Sequence, residues 1–181
     1  MGIIIESIKD VSVVGSSPII FLVAFLAALY MFARGDYIRV GTLILSLISG
    51  LYSSVLKYLF NEQRPAGYIS DGLIPWERVL KSEVYSFPST HTVLYTVFFG
   101  YLFYLTFKLS NIGKILRHTT RIFCALMIVL VGVSRILIGA HFVKDVVFGY
   151  LFGLLYLGAV IYVEGLLERK RAKKQLKHRR P

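Results

Sequence analysis

Residues Val146–Leu167 read VVFGYLFGLLYLGAVIYVEGLL, and Glu168–Pro181 continue as ERKRAKKQLKHRRP. The first stretch carries one charged residue, Glu164, in 22 positions. At ~1.5 Å per residue, about 20 apolar residues cross a ~30 Å hydrocarbon core. The stretch is therefore a transmembrane helix, and the basic run behind it marks one membrane face. Four more blocks follow the same pattern: Pro18–Ala33, Val40–Phe60, Thr90–Phe107 and Ile122–Ile138. Arg34–Arg39, Asn61–Ser89, Lys108–Arg121 and Gly139–Asp145 connect them. The expected fold is all-α, an integral membrane helix bundle of about five transmembrane helices. Met1–Val14 mixes apolar residues with Glu6, Lys9 and Asp10 and reads as a short interfacial helix. With no basic segment ahead of an apolar stretch, it does not read as a signal peptide. Residues 1–167 are expected to form the membrane-embedded domain and 168–181 a basic cytoplasmic tail.

Composition agrees. The 181 residues are 56% hydrophobic and 17% charged, with mean hydropathy +0.66. Soluble domains carry roughly 25% charge, so an ordinary soluble globule and a disordered chain are both excluded. A single cysteine, Cys124, rules out an internal disulfide or a cysteine-based zinc site and reads as mid-span packing. His118 and His178 lie in basic segments and read as solvated. Gly149 and Gly153 form a small-xxx-small pair that lets a second helix approach, within the chain or across a dimer. Oligomeric state is left open.

Five spans put the two chain ends on opposite faces. The face holding the N-terminus, 61–89 and 139–145 has seven basic and seven acidic residues. The other face has fourteen basic and three acidic, so the net charge of +11 lies entirely there. By the positive-inside rule that face is cytoplasmic. The tail then lies on anionic lipid. No aromatic residue interleaves its charges, so no nucleic-acid partner is expected.

Three polar groups fall at span ends on the opposite, outward face. They are Lys57 with Arg64-Pro65, then Pro88-Ser89-Thr90-His91, then Ser134-Arg135 with His141 and Asp145. Singly, each has a bland reading: an arginine snorkels to water, a histidine hydrogen-bonds at the interface, Ser89 or Thr90 caps a helix. Together they gather three cations and two imidazoles. Ionisable groups at membrane depth cost about 2.5–3.5 kcal/mol each on insertion scales and tend to mark function.

The order and spacing of these residues, from Lys57 to Asp145, resemble the three-part signature of the type 2 phosphatidic acid phosphatase superfamily. That family includes lipid phosphate phosphatases, bacterial undecaprenyl-diphosphate phosphatases and soluble vanadium haloperoxidases; the spans disfavour the last. The sequence departs from the pattern at Thr90, where the family usually has Gly. The resemblance implies that His141 and His91 act on a phosphate ester with Asp145 in support.

The residue types fit that chemistry. Phosphoryl transfer spreads negative charge over three equatorial oxygens, which preorganised donors stabilise. Lys57, Arg64 and Arg135 can supply them. Ser89 and Thr90 open a helix whose N–H groups suit an anion, and Pro88 sets the turn into it. His141 and Asp145 are four apart, on one face if helical, so Asp145 can hold the tautomer while the other ring nitrogen attacks phosphorus. His91 is left to protonate the leaving oxygen and activate water. A metal held by His91, His141 and Asp145 is the competing reading, opposed by three neighbouring cations; neither metal nor cofactor is expected.

The expected partners are a lipid phosphate or diphosphate substrate and the membrane lipids. Undecaprenyl diphosphate is the first substrate choice, phosphatidic acid or phosphatidylglycerol phosphate the alternative; Thr90 also fits some sphingoid-phosphate phosphatases. A non-enzymatic phosphate-binding membrane protein is the reading of another class, and two imidazoles argue against it. Tyr68, Ile69, Leu73, Ile74, Pro75, Trp76 and Tyr85 suggest that connection 61–89 lies on the membrane, either covering the site or serving as an ordinary interfacial anchor.

Overall fold

The computed structural model describes residues 18–66, 68, 84–109 and 112–178. They form five helices: α1 Pro18–Ala33, α2 Tyr37–Phe60, α3 Thr90–Lys108, α4 Lys114–Leu137 and α5 Val143–His178. The interfacial helix expected over Met1–Val14 lies outside the described residues, as do Ile69, Leu73, Ile74, Pro75 and Trp76.

Three helices, α2, α4 and α5, are long and apolar enough to cross a membrane, and the chain is an integral membrane protein. The helices α2, α4 and α5 start or end beyond the apolar blocks that mark them. Hydropathy reports the part in contact with lipid, whereas hydrogen bonding carries a helix on through charged residues. Thus α5 runs unbroken past Leu167 to His178. With 19 residues, α3 is long enough to span but rich in Thr and Tyr. It can be so because protein surrounds it: every residue from Thr90 to Phe99 is buried.

Side-chain contacts fix the helix directions. Ser53 meets Thr90 and Thr42 meets Tyr101, so α2 and α3 are antiparallel. Arg121 reaches Thr106 and Tyr150 reaches the Ile128 carbonyl, which makes α4 antiparallel to both α3 and α5. Ser89 N–H bonds the Asp145 carbonyl and Tyr101 bonds Glu164, so α3 and α5 run parallel. One end of the bundle therefore gathers the end of α2, the start of α3, the end of α4 and the start of α5.

Close approach comes from small residues. A Cβ at Gly149 would lie 2.9 Å from Thr92 Cβ and 3.2 Å from the Ser89 carbonyl; at Gly153 it would lie 2.7 Å from Thr96 Cβ. The glycine pair thus packs inside the chain, against α3. On α2 the buried stripe is Thr42, Ser46, Ser49 and Ser53, with Lys57 continuing it. Leu22, Phe25, Ile122, Leu126, Leu151 and Leu155 are exposed on the outside. Small polar groups inside and apolar ones outside suit a lipid solvent, where helices associate through packing and interhelical hydrogen bonds.

At the opposite end, Glu164 is fully buried, accepts from Tyr101 at 2.6 Å and from Thr42 at 3.2 Å, and lies 3.5 Å from Arg39 Nε. Arg39 also pairs with Asp36 and Glu168. The carboxylate inside the apolar stretch is thereby paired, as an intramembrane charge must be.

Replacing Gly149 with Leu should force α5 away from α3 at the Ser89–Asp145 junction. Overpacking of this kind costs about 1–3 kcal/mol. The checking measurement is thermal unfolding of the detergent-solubilised variant, which should melt below the wild type; an unchanged Tm would refute the packing argument.

Candidate active site

Two helix ends build the site. Helix α4 closes with Gly139 at φ +70, Gly139 N–H bonded to the Ile136 carbonyl at 3.0 Å and Ala140 N–H to the Arg135 carbonyl at 3.1 Å. This is a Schellman cap, which needs a left-handed residue and so favours glycine. It turns the chain back over Arg135 and delivers His141. Helix α5 then opens with Asp145 Oδ2 accepting the Phe142 N–H at 2.9 Å, half of a capping box. His141 therefore precedes α5 rather than sharing a helical face with Asp145; the caps, not the i,i+4 spacing of a helix, bring the two together.

His141 and Asp145 are almost wholly buried. His141 Nδ1 stands 3.5 Å from Asp145 Oδ2, and Ser86 Oγ sits between them, 3.2 Å from Nδ1 and donating to Oδ2. On the other side of the ring, Nε2 lies 3.5 Å from Arg64 Nη1, which also donates to the Ala140 carbonyl at 3.2 Å. Arg64 stacks over the Tyr68 ring at 5.1 Å, and the Tyr68 hydroxyl accepts from Arg135 Nη2 at 3.2 Å. Lys57, at the end of α2, is fully buried. The charges of Lys57, Arg64 and Arg135 act on the rings of both His91 and His141. Residues far apart in sequence, Arg64, Arg135 and His141, are thereby brought close together.

Three buried nitrogens, His91 Nε2 and Arg135 Nε and Nη1, have no hydrogen-bond partner among the described residues. Buried donors are normally satisfied. Donors left over beside other cations are what a phosphate would satisfy. No group of three His, Cys, Asp or Glu with metal-ligating proximity occurs among the described residues.

One site expectation changes. The Ser89 N–H, expected to face an anion, bonds the Asp145 carbonyl at 3.1 Å, and Ser89 Oγ accepts from Thr92 at 3.0 Å. Ser89 ties α3 to α5. Beyond it the first intrahelical bond is Val93 N–H to the Ser89 carbonyl, so helix geometry leaves the N–H groups of Thr90, His91 and Thr92 without intrahelical acceptors. Thr90 Oγ1 accepts from Ser53 at 3.1 Å. Its hydroxyl is thus occupied with α2, and the side chain helps set where α3 begins.

Tyr68 and Ser86 are the residues the sequence reading missed. Tyr68 counted only as one aromatic of a membrane-lying connection. Ser86, between Tyr85 and Phe87, belongs to no periodic pattern; its one signal was its place directly ahead of the Phe87-Pro88-Ser89 run. It is placed by the neck of the 61–89 connection. Gln63 bridges Tyr85, and Ser86 N–H bonds the Glu62 carbonyl at 2.7 Å.

A model of the PAP2 superfamily matches residues 36–168, a segment that contains every site residue from Lys57 to Asp145. The chain belongs to the PAP2 superfamily. It is also similar in fold to the crystal structure of a transmembrane PAP2-type phosphatidylglycerolphosphate phosphatase from Bacillus subtilis. That likeness has a TM-score of 0.72 at 23% identity and covers 93% of this chain and 79% of the other. The PAP2 superfamily includes phosphatases, and the buried cations and two imidazoles of this member lie within the matched segment.

Burial, reinforced by Lys57, Arg64 and Arg135, holds the His141 pKa well below its ordinary 6.5, with a backbone contact of Ser86 pulling the other way. The ring is therefore neutral at pH 7 and protonates only in more acidic solution. Nitrogen-15 NMR of the His141 ring should give a midpoint well under 6.5. In Lys57→Ala, where one cation is gone, the midpoint should rise; a fall or no change would contradict the electrostatic account.

Proposed function

We propose that this protein hydrolyses the terminal phosphate of a membrane lipid through a phosphohistidine formed on His141. The observation that carries the proposal is the approach of Arg64 to His141 Nε2, 3.5 Å, with Arg135 linked to Arg64 through Tyr68. A phosphoryl group facing Nε2 lies within reach of the cations that would hold its oxygens. Lys57, Arg64 and Arg135 bind the phosphate, aided by the N–H groups of the first turn of α3 from Thr90 onward. Preorganised donors of this kind contribute about 2.7–4 kcal/mol each to the barrier when one is removed.

The steps follow from the residues. The Nε2 lone pair forms a bond to phosphorus while the bond to the lipid oxygen breaks. That oxygen takes a proton from His91. In the second step His91 removes a proton from water, the water oxygen attacks phosphorus, and the N–P bond returns its electrons to Nε2. Asp145 faces the imidazolium that exists in between. No step needs a metal, and the cations beside the two rings would repel a divalent ion.

A site at the helix ends suits an amphiphile whose tails stay in the bilayer. The charge asymmetry, +11 on one face, puts the site on the extracytoplasmic side and the basic segment from residue 168 in the cytoplasm. An isoprenoid diphosphate such as undecaprenyl diphosphate is the substrate we favour. Phosphatidylglycerol phosphate is the second reading, supported by the phosphatidylglycerolphosphate phosphatase from Bacillus subtilis whose fold this chain resembles.

Purified protein should release inorganic phosphate from these lipids presented side by side in detergent, and their relative kcat/KM decides between them. His141→Ala and Arg135→Ala should each lose at least about 10³-fold in kcat/KM, as removal of a nucleophile or key charge donor does, while still inserting and melting cooperatively. Near-wild-type turnover in either would remove that residue from the mechanism. EDTA should leave the rate unchanged; loss restored by Mg²⁺ would replace the metal-free reading.

A further inference from the structure

Ser86 lies outside the residues whose chemistry has been assigned, yet it is the nearest neighbour of the proposed nucleophile on its rear side. It is fully buried. Its Oγ is 3.2 Å from His141 Nδ1, whereas the Asp145 oxygen facing the same nitrogen is 3.5 Å away. Good N–H···O bonds fall at about 2.7–3.2 Å, so the hydroxyl and not the carboxylate is the direct partner of the ring.

The directions of these bonds are set by the groups. An ionised carboxylate can only accept, while a hydroxyl has one hydrogen to give and lone pairs to receive. Ser86 donates to Asp145 Oδ2. Its lone pairs then face His141, and the ring can satisfy them only with a hydrogen on Nδ1. Nε2 is left with a lone pair, on the side where Arg64 stands at 3.5 Å.

We propose that Ser86 is a positioning residue, relaying the Asp145 charge to His141 through the chain Nδ1–H···Oγ–H···Oδ2 and so holding the tautomer whose Nε2 can attack. The inference rests on the reading of His141 as nucleophile. No proton moves along the chain during the reaction. Nε2 gains and later loses its bond to phosphorus, the protons of leaving group and water pass through His91, and the hydrogens on Nδ1 and Oγ stay where they are. The chain turns the imidazolium charge toward Oδ2 across a hydroxyl.

The placement of Ser86 is itself secured from both sides. Its N–H is held by the Glu62 carbonyl at 2.7 Å, and the Glu62 side chain pairs with Lys144, next to Asp145. The groups that act on the His141 charge come from every element around it: Lys57 from α2, Arg64 from the connection after it, His91 from α3, Arg135 from α4 and Asp145 from α5.

The test uses the full-length protein in detergent with a lipid phosphate it turns over. Ser86→Ala should lower kcat about 10–100-fold, the scale on which outer partners that orient an imidazole matter, with KM within about twofold. The acid limb of its kcat profile should move to lower pH, because the hydroxyl that passes the Asp145 charge to the ring is gone. Ser86→Thr, which keeps the hydroxyl, should recover most of the rate and the wild-type limb. Independently of any variant folding, nitrogen-15 NMR of the wild type near neutral pH should show His141 protonated on Nδ1 and bare on Nε2. Unchanged kcat and acid limb in Ser86→Ala, or a wild-type ring protonated on Nε2, overturns the inference. Turnover retained in His141→Gln would instead overturn the nucleophile assignment, and the tautomer measurement would stand apart from it.

Discussion

Asp145 is the joint on which the site depends. Its side chain accepts the Phe142 N–H and the Ser86 hydroxyl, and its carbonyl accepts the Ser89 N–H. One residue thereby fixes the start of α5, the start of α3 and the neck of the long connection. Asp145, Ser86 and Ser89 are fully buried, where an unmade hydrogen bond costs most. Displacing any of the three segments would strand a polar group away from water, so the arrangement is held as a unit. The same carboxylate faces His141, so the residue that organises the backbone also sets the electrostatics behind the ring.

Around that joint, close packing of α3 and α5 is obligatory. Gly149 and Gly153 meet Thr92 and Thr96 at distances that leave no room for a side chain. The serine and threonine stripe on α2 closes the opposite flank. A bundle in lipid gains nothing by hiding apolar surface from apolar solvent, so contact quality and internal hydrogen bonds must hold it. The apolar residues are free to face outward. This division of labour lets α3 carry a polar N-terminal half through the centre, where it presents His91.

The site gathers positive charge where charge is expensive. Lys57 and Arg135 are buried, and Arg64 is partly so. Mutual repulsion and desolvation both oppose this arrangement. Tyr68 eases it, with its ring under Arg64 and its oxygen on Arg135. A bound phosphate would do so far more effectively, by placing negative charge within reach of all three. On the proposed reading, ligand binding would offset the cost of assembling the cations; burial, reinforced by the same field, keeps His141 neutral.

The sequence by itself determined the helical membrane fold, the polar end of the bundle and most of the site. Apolar run length, charge asymmetry and the grouping of Lys57, Arg64, His91, Arg135, His141 and Asp145 at span ends are all local properties, legible because lipid acts on each segment separately. Helix bounds were less legible, since hydrogen bonding carries a helix beyond its apolar part. Tertiary structure alone decided that Ser86 stands between His141 and Asp145, that Tyr68 joins two arginines, that the Ser89 N–H is spent on α5, and that the glycine pair packs inward. Ser86 and His141 are 55 residues apart. Contact at that separation leaves no mark in the pattern around either residue, because it arises only when caps and close-packed helices bring distant backbone to one point.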